Sequence, residues 1–231
     1  MAEKQRNNIS SDNLDRRDER LTLMSDNIKK LGAEIGLSAE VIAWGESANR
    51  VWTDIHTRAN MMRGEQKVLF GIFMSKFEEC RKQAISVKKL LLVLISGTDG
   101  AEEVIEEYGL KGAMPRSRNG LKSFVDQLKE TSDILRAAGD PRVLSEKIID
   151  DLVKLADEMI LLWHDAQQKK QEVSDAFQEV KNVFANDSQI LRIVYRYAVY
   201  KWGRYSPKLE LLGFSPVKIR REKGKPAEDD A

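Results

Sequence analysis

A chain of 231 residues, 42% hydrophobic and 32% charged, is long enough to bury a substantial core and too apolar for wholesale disorder. Its 38 Lys and Arg nearly balance its 37 Asp and Glu, so no global field draws it toward nucleic acid or anionic lipid, and any polyanion site must be local. A single cysteine, Cys80, excludes an internal disulfide framework and a multi-cysteine zinc site.

The first residues, Met-Ala-Glu-Lys-Gln-Arg-Asn-Asn, are followed by no apolar run, so neither a secretory signal nor a membrane anchor is expected. With the lone cysteine this predicts a soluble protein of a reducing, cytoplasmic compartment. The longest apolar run, Leu90 to Ile95, has about a third of the ~18 residues a membrane span requires. Residues 1–10 are polar and expected to be disordered.

From Leu21, the apolar residues Met24, Ile28, Leu31 and Ile35 follow at steps of three and four and predict a first helix, ended by Gly36. Leu37 can staple against Ile42, and Ser38 is a suitable N-cap for a second helix. Its seam runs Val41, Trp44, Ala48, Val51, Ile55, Met62, then Phe73, Phe77, Cys80, Ala84, Val87, Leu91, Leu94, with a one-residue slip of phase near Gly64. This is either one helix of about 55 residues, roughly 80 Å long, or two helices bent at Gly64.

A short amphipathic piece, Ala101 to Tyr108, closes at Gly109-Leu110 and leads into a basic linker with Lys111, Pro115, Arg116 and Arg118. The third helix carries Leu121, Phe124, Leu128, Thr131, Leu135 and Ala138 and ends at Gly139, where Asp140 is expected as N-cap and Pro141 as first residue of the next. No Gly or Pro interrupts Arg142 to Trp202, and the seam runs Ile148, Leu152, Leu155, Met159, Leu162, Ala166, Val173, Ala176, Val180, Val183, broken only by Lys169. Asn186-Asp187-Ser188 is the one place where that helix could stop and restart.

Gly36 pairs with Gly139, Gly97 with Gly203 and Gly109 with Gly213, at offsets of 103, 106 and 104 residues. The expected fold is therefore all-α: an elongated bundle of two duplicated helical hairpins with long heptad-patterned helices, over 11–117 and 118–215, followed by a basic then acidic flexible tail over 216–231. Each short helix can cover only about half of its long partner. The remaining apolar seam must find cover in the sibling hairpin or in another subunit.

The plan resembles a group of uncharacterised bacterial all-helical proteins in which a short helix and a long helix precede a short amphipathic piece ending Gly-Leu. Gly36-Leu37-Ser38, the long seam and Ala101 to Gly109-Leu110 carry the resemblance. It implies a helical fold and no particular activity.

No catalytic, cofactor or metal constellation is expected. A di-iron carboxylate site needs Glu-x-x-His on two helices, but Thr53 and Leu161 stand where the glutamates before His56 and His164 should be. Cys80 lies in register with Phe77 and Ala84 and is expected to be a buried small hydrophobe. Gly-rich phosphate loops are absent. The unusual stretch is Ser188 to Leu209, with Arg192, Arg196, Lys201, Arg204 and Lys208, no acidic residue, and Tyr195, Tyr197, Tyr200, Trp202 and Tyr205 between the cations. With Arg220 and Arg221 of the tail, such interleaving suits phosphate contacts by charge, with Tyr195, Tyr200, Trp202 and Tyr205 stacking on bases or sitting at a lipid headgroup layer; the bland alternative is that these side chains cover a bundle end. The leading expectation is a non-enzymatic structural or interaction protein that self-associates or binds another helical protein; the alternative is a nucleic-acid or anionic-membrane-surface binder.

Overall fold

The computed structural model describes residues 14–217. They form five α-helices, α1 (Leu14–Ile35), α2 (Ala39–Ile95), α3 (Ala101–Glu107), α4 (Arg118–Ala137) and α5 (Glu146–Trp202), and a 3₁₀ helix (Pro207–Leu212), with no strand among the described residues. The expected disorder of 1–10 and Arg220 and Arg221 of the tail fall outside them. None of the described helices is long and apolar enough to cross a membrane.

The two long helices, each 57 residues, run unbroken through Gly64 and Asn186. A Cβ added at Gly64 would meet nothing within 4 Å, so no close neighbour requires a glycine there. At the second position the cap-competent residues turn inward instead of terminating the helix: Ser188 Oγ donates to the carbonyl of Phe184 four residues back (2.6 Å), and Asp187 is buried. One expectation is corrected. Asp140 does not cap α5, because its carboxylate is taken by the Arg142 backbone N–H (2.8 Å) and guanidinium (2.9 Å), and the helix starts six residues later. That ion pair holds the Asp140 carboxyl down at about 2.

Four glycines end helical segments in the same manner. At Gly36, Gly109, Gly139 and Gly213 the glycine N–H bonds three residues back, and the next N–H, of Leu37, Leu110, Asp140 or Phe214, bonds five residues back at 2.9 Å. All four have positive φ.

The described residues fold into two compact units, the first lying within Met1–Asn60 and Ser174–Ala231 and the second being Met61–Val173. The core of the first joins Leu21, Met24, Ile28 and Leu31 of α1 to Ala48, Trp52 and Ile55 of α2, Leu191, Val194 and Ala198 of α5, and Leu209, Leu212 and Phe214. The core of the second joins Phe77, Cys80, Ala84, Val87 and Leu91 of α2 to Tyr108 and Leu110, to Leu121, Phe124 and Leu128 of α4, and to Ile149, Leu152, Ala156 and Met159 of α5. Each unit thus draws on both 100-residue segments, and Phe77 to Leu91 of the α2 seam are buried with α4 and α5 of the other segment. In the second unit Lys122–Asp157 (2.9 Å) and Lys129–Asp150 (3.0 Å) tie α4 to α5, and Lys169, the polar break of the α5 seam, reaches Glu65 of α2 (2.7 Å).

A shift of 104 residues carries Leu21, Met24, Ile28 and Leu31 onto Val125, Leu128, Ser132 and Leu135, and Ala48, Trp52 and Ile55 onto Leu152, Ala156 and Met159; every one of them is buried. It also carries Arg17 and Arg20 onto Leu121 and Phe124. Two core positions filled by apolar side chains in the second unit therefore hold arginines in the first.

Candidate functional site

The basic and aromatic segment spans the end of α5, the turn at Gly203 and the 3₁₀ helix, all in the first unit. Arg192, Ile193, Arg196, Tyr197 and Tyr200 are exposed, and their spacing of i, i+1, i+4, i+5, i+8 sets them on one outward stripe of α5. Tyr200 stands farthest out, at 92% exposure. Lys201, Arg204 and Tyr205 are exposed beyond it, with the Arg204 guanidinium 4.9 Å from the Tyr205 ring centroid.

Three of the expected site residues are engaged elsewhere. Trp202 Nε1 and Lys208 Nζ both donate to Glu34 Oε1 of α1, each at 2.9 Å, and Lys208 also lies over the Trp202 ring. The Lys208 hydrogen bond, then that of Trp202, holds the Glu34 carboxyl below its ordinary range. The acid that the segment itself lacks is thus supplied from α1. Tyr195 packs edge-on against Phe214, ring centroids 5.2 Å apart, and is half-buried.

Beneath this surface lies a polar cluster that the sequence pattern did not single out. Arg17 is fully buried, donates to Ser188 Oγ (2.7 Å) and stacks its guanidinium over Phe184 at 3.9 Å; Trp44 Nε1 donates to Asp187 Oδ1 (3.1 Å). Arg20, 5% exposed, lies over Phe214. The first helix was expected from Leu21, which stopped the count one turn early; extended backwards, the three-four register of Leu21, Met24 and Ile28 places Arg17 and Arg20 inward.

Burial pushes the Asp187 carboxyl above its ordinary 3.8, against the hydrogen bond from Trp44 and the charge of Arg17. A carboxyl raised by folding contributes stability that is fully present below its unfolded value and lost as pH rises through the folded one. Asp187→Asn, which keeps the acceptor for Trp44, is expected to stabilise the protein at neutral pH. Urea midpoints measured along a pH series should show that gain disappearing at about pH 4 and below.

No family model matches this sequence, and no curated protein or solved structure matches it. The chemistry therefore rests on the residues alone. Cys80 is buried and its thiol is pushed up to about 11, chiefly by desolvation, so it stays a protonated thiol at neutral pH. His56 stacks on Trp52, ring centroids 5.7 Å apart, and shares a hydrogen bond with Asn60 (3.2 Å), whereas His164 is exposed. Among the described residues no three His, Cys, Asp or Glu side chains gather as metal ligands would.

The second unit carries a different outward feature. Met61, Val68, Phe70, Ile72 and Met74 of α2 are all exposed, Met61 and Val68 at 63% each, and no residue from Met61 to Ile72 is buried. Met61, Val68 and Ile72 follow each other at seven and four residues, the spacing of a helical seam without its partner.

Proposed function

We propose that this chain is a non-enzymatic helical interaction module of the cytoplasm that associates with a second copy of itself through the outward apolar positions of α2. The exposure of Met61, Val68, Phe70, Ile72 and Met74 within fourteen residues carries this reading. Each such side chain shielded from water returns on the order of 1 kcal/mol or more, which favours a mate for the stripe. Light scattering coupled to size-exclusion chromatography should find a dimer, and Val68→Glu with Ile72→Glu should dissociate it without loss of helicity. A monomer at about 100 µM, a concentration at which even weak specific association would register, overturns the reading.

The fold that presents this stripe is read as two duplicated hairpins in one bundle. The common burial register at 104 residues, the matching glycine turns at Gly36 and Gly139 and at Gly109 and Gly213, and two long helices of equal length support it.

A second reading is favoured by the stripe of Arg192, Arg196, Tyr197 and Tyr200, backed by Lys201, Arg204 and Tyr205: a surface for single-stranded nucleic acid or anionic lipid. Binding to an oligonucleotide or to anionic vesicles should weaken steeply with salt, and Arg192→Glu with Arg196→Glu should reduce it at least tenfold. Affinity indifferent to both would end this reading.

A further inference from the structure

The longest apolar run of the chain, Leu90 to Ile95, ends α2, and the core of the second unit takes only part of it. Leu91 and Ile95 are fully buried, whereas Leu90, Val93 and Leu94 are exposed, Val93 at 77% and Leu90 at 50%. At about 100° per residue Val93 stands roughly 160° round the helix from both Leu91 and Ile95, so it points away from the core. Lys89 and Lys82, one and three turns before Val93, are exposed on the same outward line.

The charge around this patch has one sign. No acidic residue lies between Glu79 and Asp99, while Arg81, Lys82, Lys88 and Lys89 do, and Glu79 is held by Lys76 (3.0 Å). Lys88 donates to the Gly112 carbonyl (2.7 Å) and stands about 120–160° round the helix from Leu90, Val93 and Leu94, so the chain leaving the acidic α3 runs on another side of α2. A second copy does not suit such a face, because lysines would meet lysines with no carboxylate between them. Nucleic acid does not suit it either: from Arg81 to Thr98 there is no aromatic side chain on which a base could stack, and three aliphatic side chains would go unmatched. An anionic lipid surface offers a mate for both parts, headgroup charge for the lysines and the acyl boundary for the aliphatic groups. The other long helix ends alike, with Arg192, Ile193, Arg196 and Tyr197 exposed at the spacing of Lys89, Leu90, Val93 and Leu94.

We propose that the end of α2 is a peripheral contact for anionic membrane surfaces. Val93, Leu90 and Leu94 enter the layer between headgroups and acyl chains, and Lys82 and Lys89 keep their ammonium groups among the headgroup phosphates and carboxylates. Three aliphatic side chains partition weakly, so the contact is reversible and needs the cations as well. It lies in the second unit and rests neither on the Arg192 and Arg196 stripe of the first nor on self-association through Val68 and Ile72.

An environment-sensitive fluorophore on Val93→Cys tests this, since Cys80 is buried and its thiol is pushed up to about 11, which leaves the new cysteine as the reactive one. Vesicles of phosphatidylcholine with 30% phosphatidylserine, on the order of the anionic content that gives a cytoplasmic leaflet its surface potential, should shift the emission to the blue and at least double it. Pure phosphatidylcholine should leave it unchanged, as should anionic vesicles when the label sits on Leu161→Cys, an exposed position of α5 in the same unit. In flotation of the unlabelled chain, Lys82→Glu with Lys89→Glu should weaken binding to anionic vesicles at least tenfold and Val93→Glu at least threefold, with helicity retained. The response at Val93→Cys should persist beside Arg192→Glu with Arg196→Glu. No emission change at position 93, an equal change at 161, loss of the response when Arg192 and Arg196 are reversed, or an equal response to a single-stranded oligonucleotide or to polyglutamate overturns the proposal. None of these results bears on the dimer test at Val68 and Ile72.

Discussion

Gly213→Ala is expected to destabilise the first unit by about 3 kcal/mol or more, the sum of two effects that rarely coincide at one position. Gly213 has φ +74°, where any Cβ is strained. A Cβ built there would also lie 2.8 Å from the Arg20 Cα and 2.9 Å from the Arg20 carbonyl oxygen, and backbone of α1 cannot rotate aside as a side chain can. Gly97→Ala is the control. Its φ is +81°, but a Cβ would meet nothing within 4 Å, so only the conformational cost, about 1–2 kcal/mol, should appear. Urea denaturation followed by circular dichroism gives the two losses. Hydrogen exchange should place the Gly213 effect in α1 and the end of α5.

The second large effect belongs to Trp52, 1% exposed at the centre of the first unit's core, with His56 stacked on one side and the Phe184 ring centroid 5.9 Å away. Trp52→Ala should cost roughly 3–5 kcal/mol, since the helices around the vacated space can close it only in part. Trp52→Phe should cost less than half as much. The indole N–H is buried without a hydrogen-bond partner, so its removal relieves a desolvation penalty that offsets part of the lost packing. Were the two variants equally damaging in denaturation curves, the indole nitrogen would have to be making a stabilising contact.

The buried arginines separate the two units chemically. At a shift of 104 residues Arg17 and Arg20, buried in the first unit, fall on Leu121 and Phe124, buried in the second, and Ala84 falls on Ser188. Buried polar groups of this kind cost desolvation energy and restrict which surfaces can pair, because a hydrogen-bonded partner such as Ser188 must be opposite.

Helix content, the glycine turns and most of the seams were legible in the sequence, because apolar spacing of three and four and a glycine after the last apolar residue are local signals. Phe77, Cys80, Ala84, Val87 and Leu91 are all buried as that spacing requires. The same signals misled where tertiary partners outbid them. Asp140 looks like a cap but binds Arg142, and Val51 and Leu94 sit on the expected seam yet face outward, Ile95 being buried in place of Leu94. In the basic segment, alternation of cations and aromatics was visible, whereas the commitment of Trp202 and Lys208 to Glu34 was not, since that carboxylate lies some 170 residues away in the chain.

Periodicity by itself determined that this protein is helical, where its turns fall and which face of each helix is apolar, for these depend on residues within a few positions of one another. Only the tertiary structure decided that each unit joins part of both long helices, that Arg17, Arg20 and Asp187 lie inside, and which apolar residues of α2 remain in contact with water. Those outcomes turn on which surfaces meet across more than a hundred residues of chain, and a helical repeat specifies a face without naming the face it will bury against.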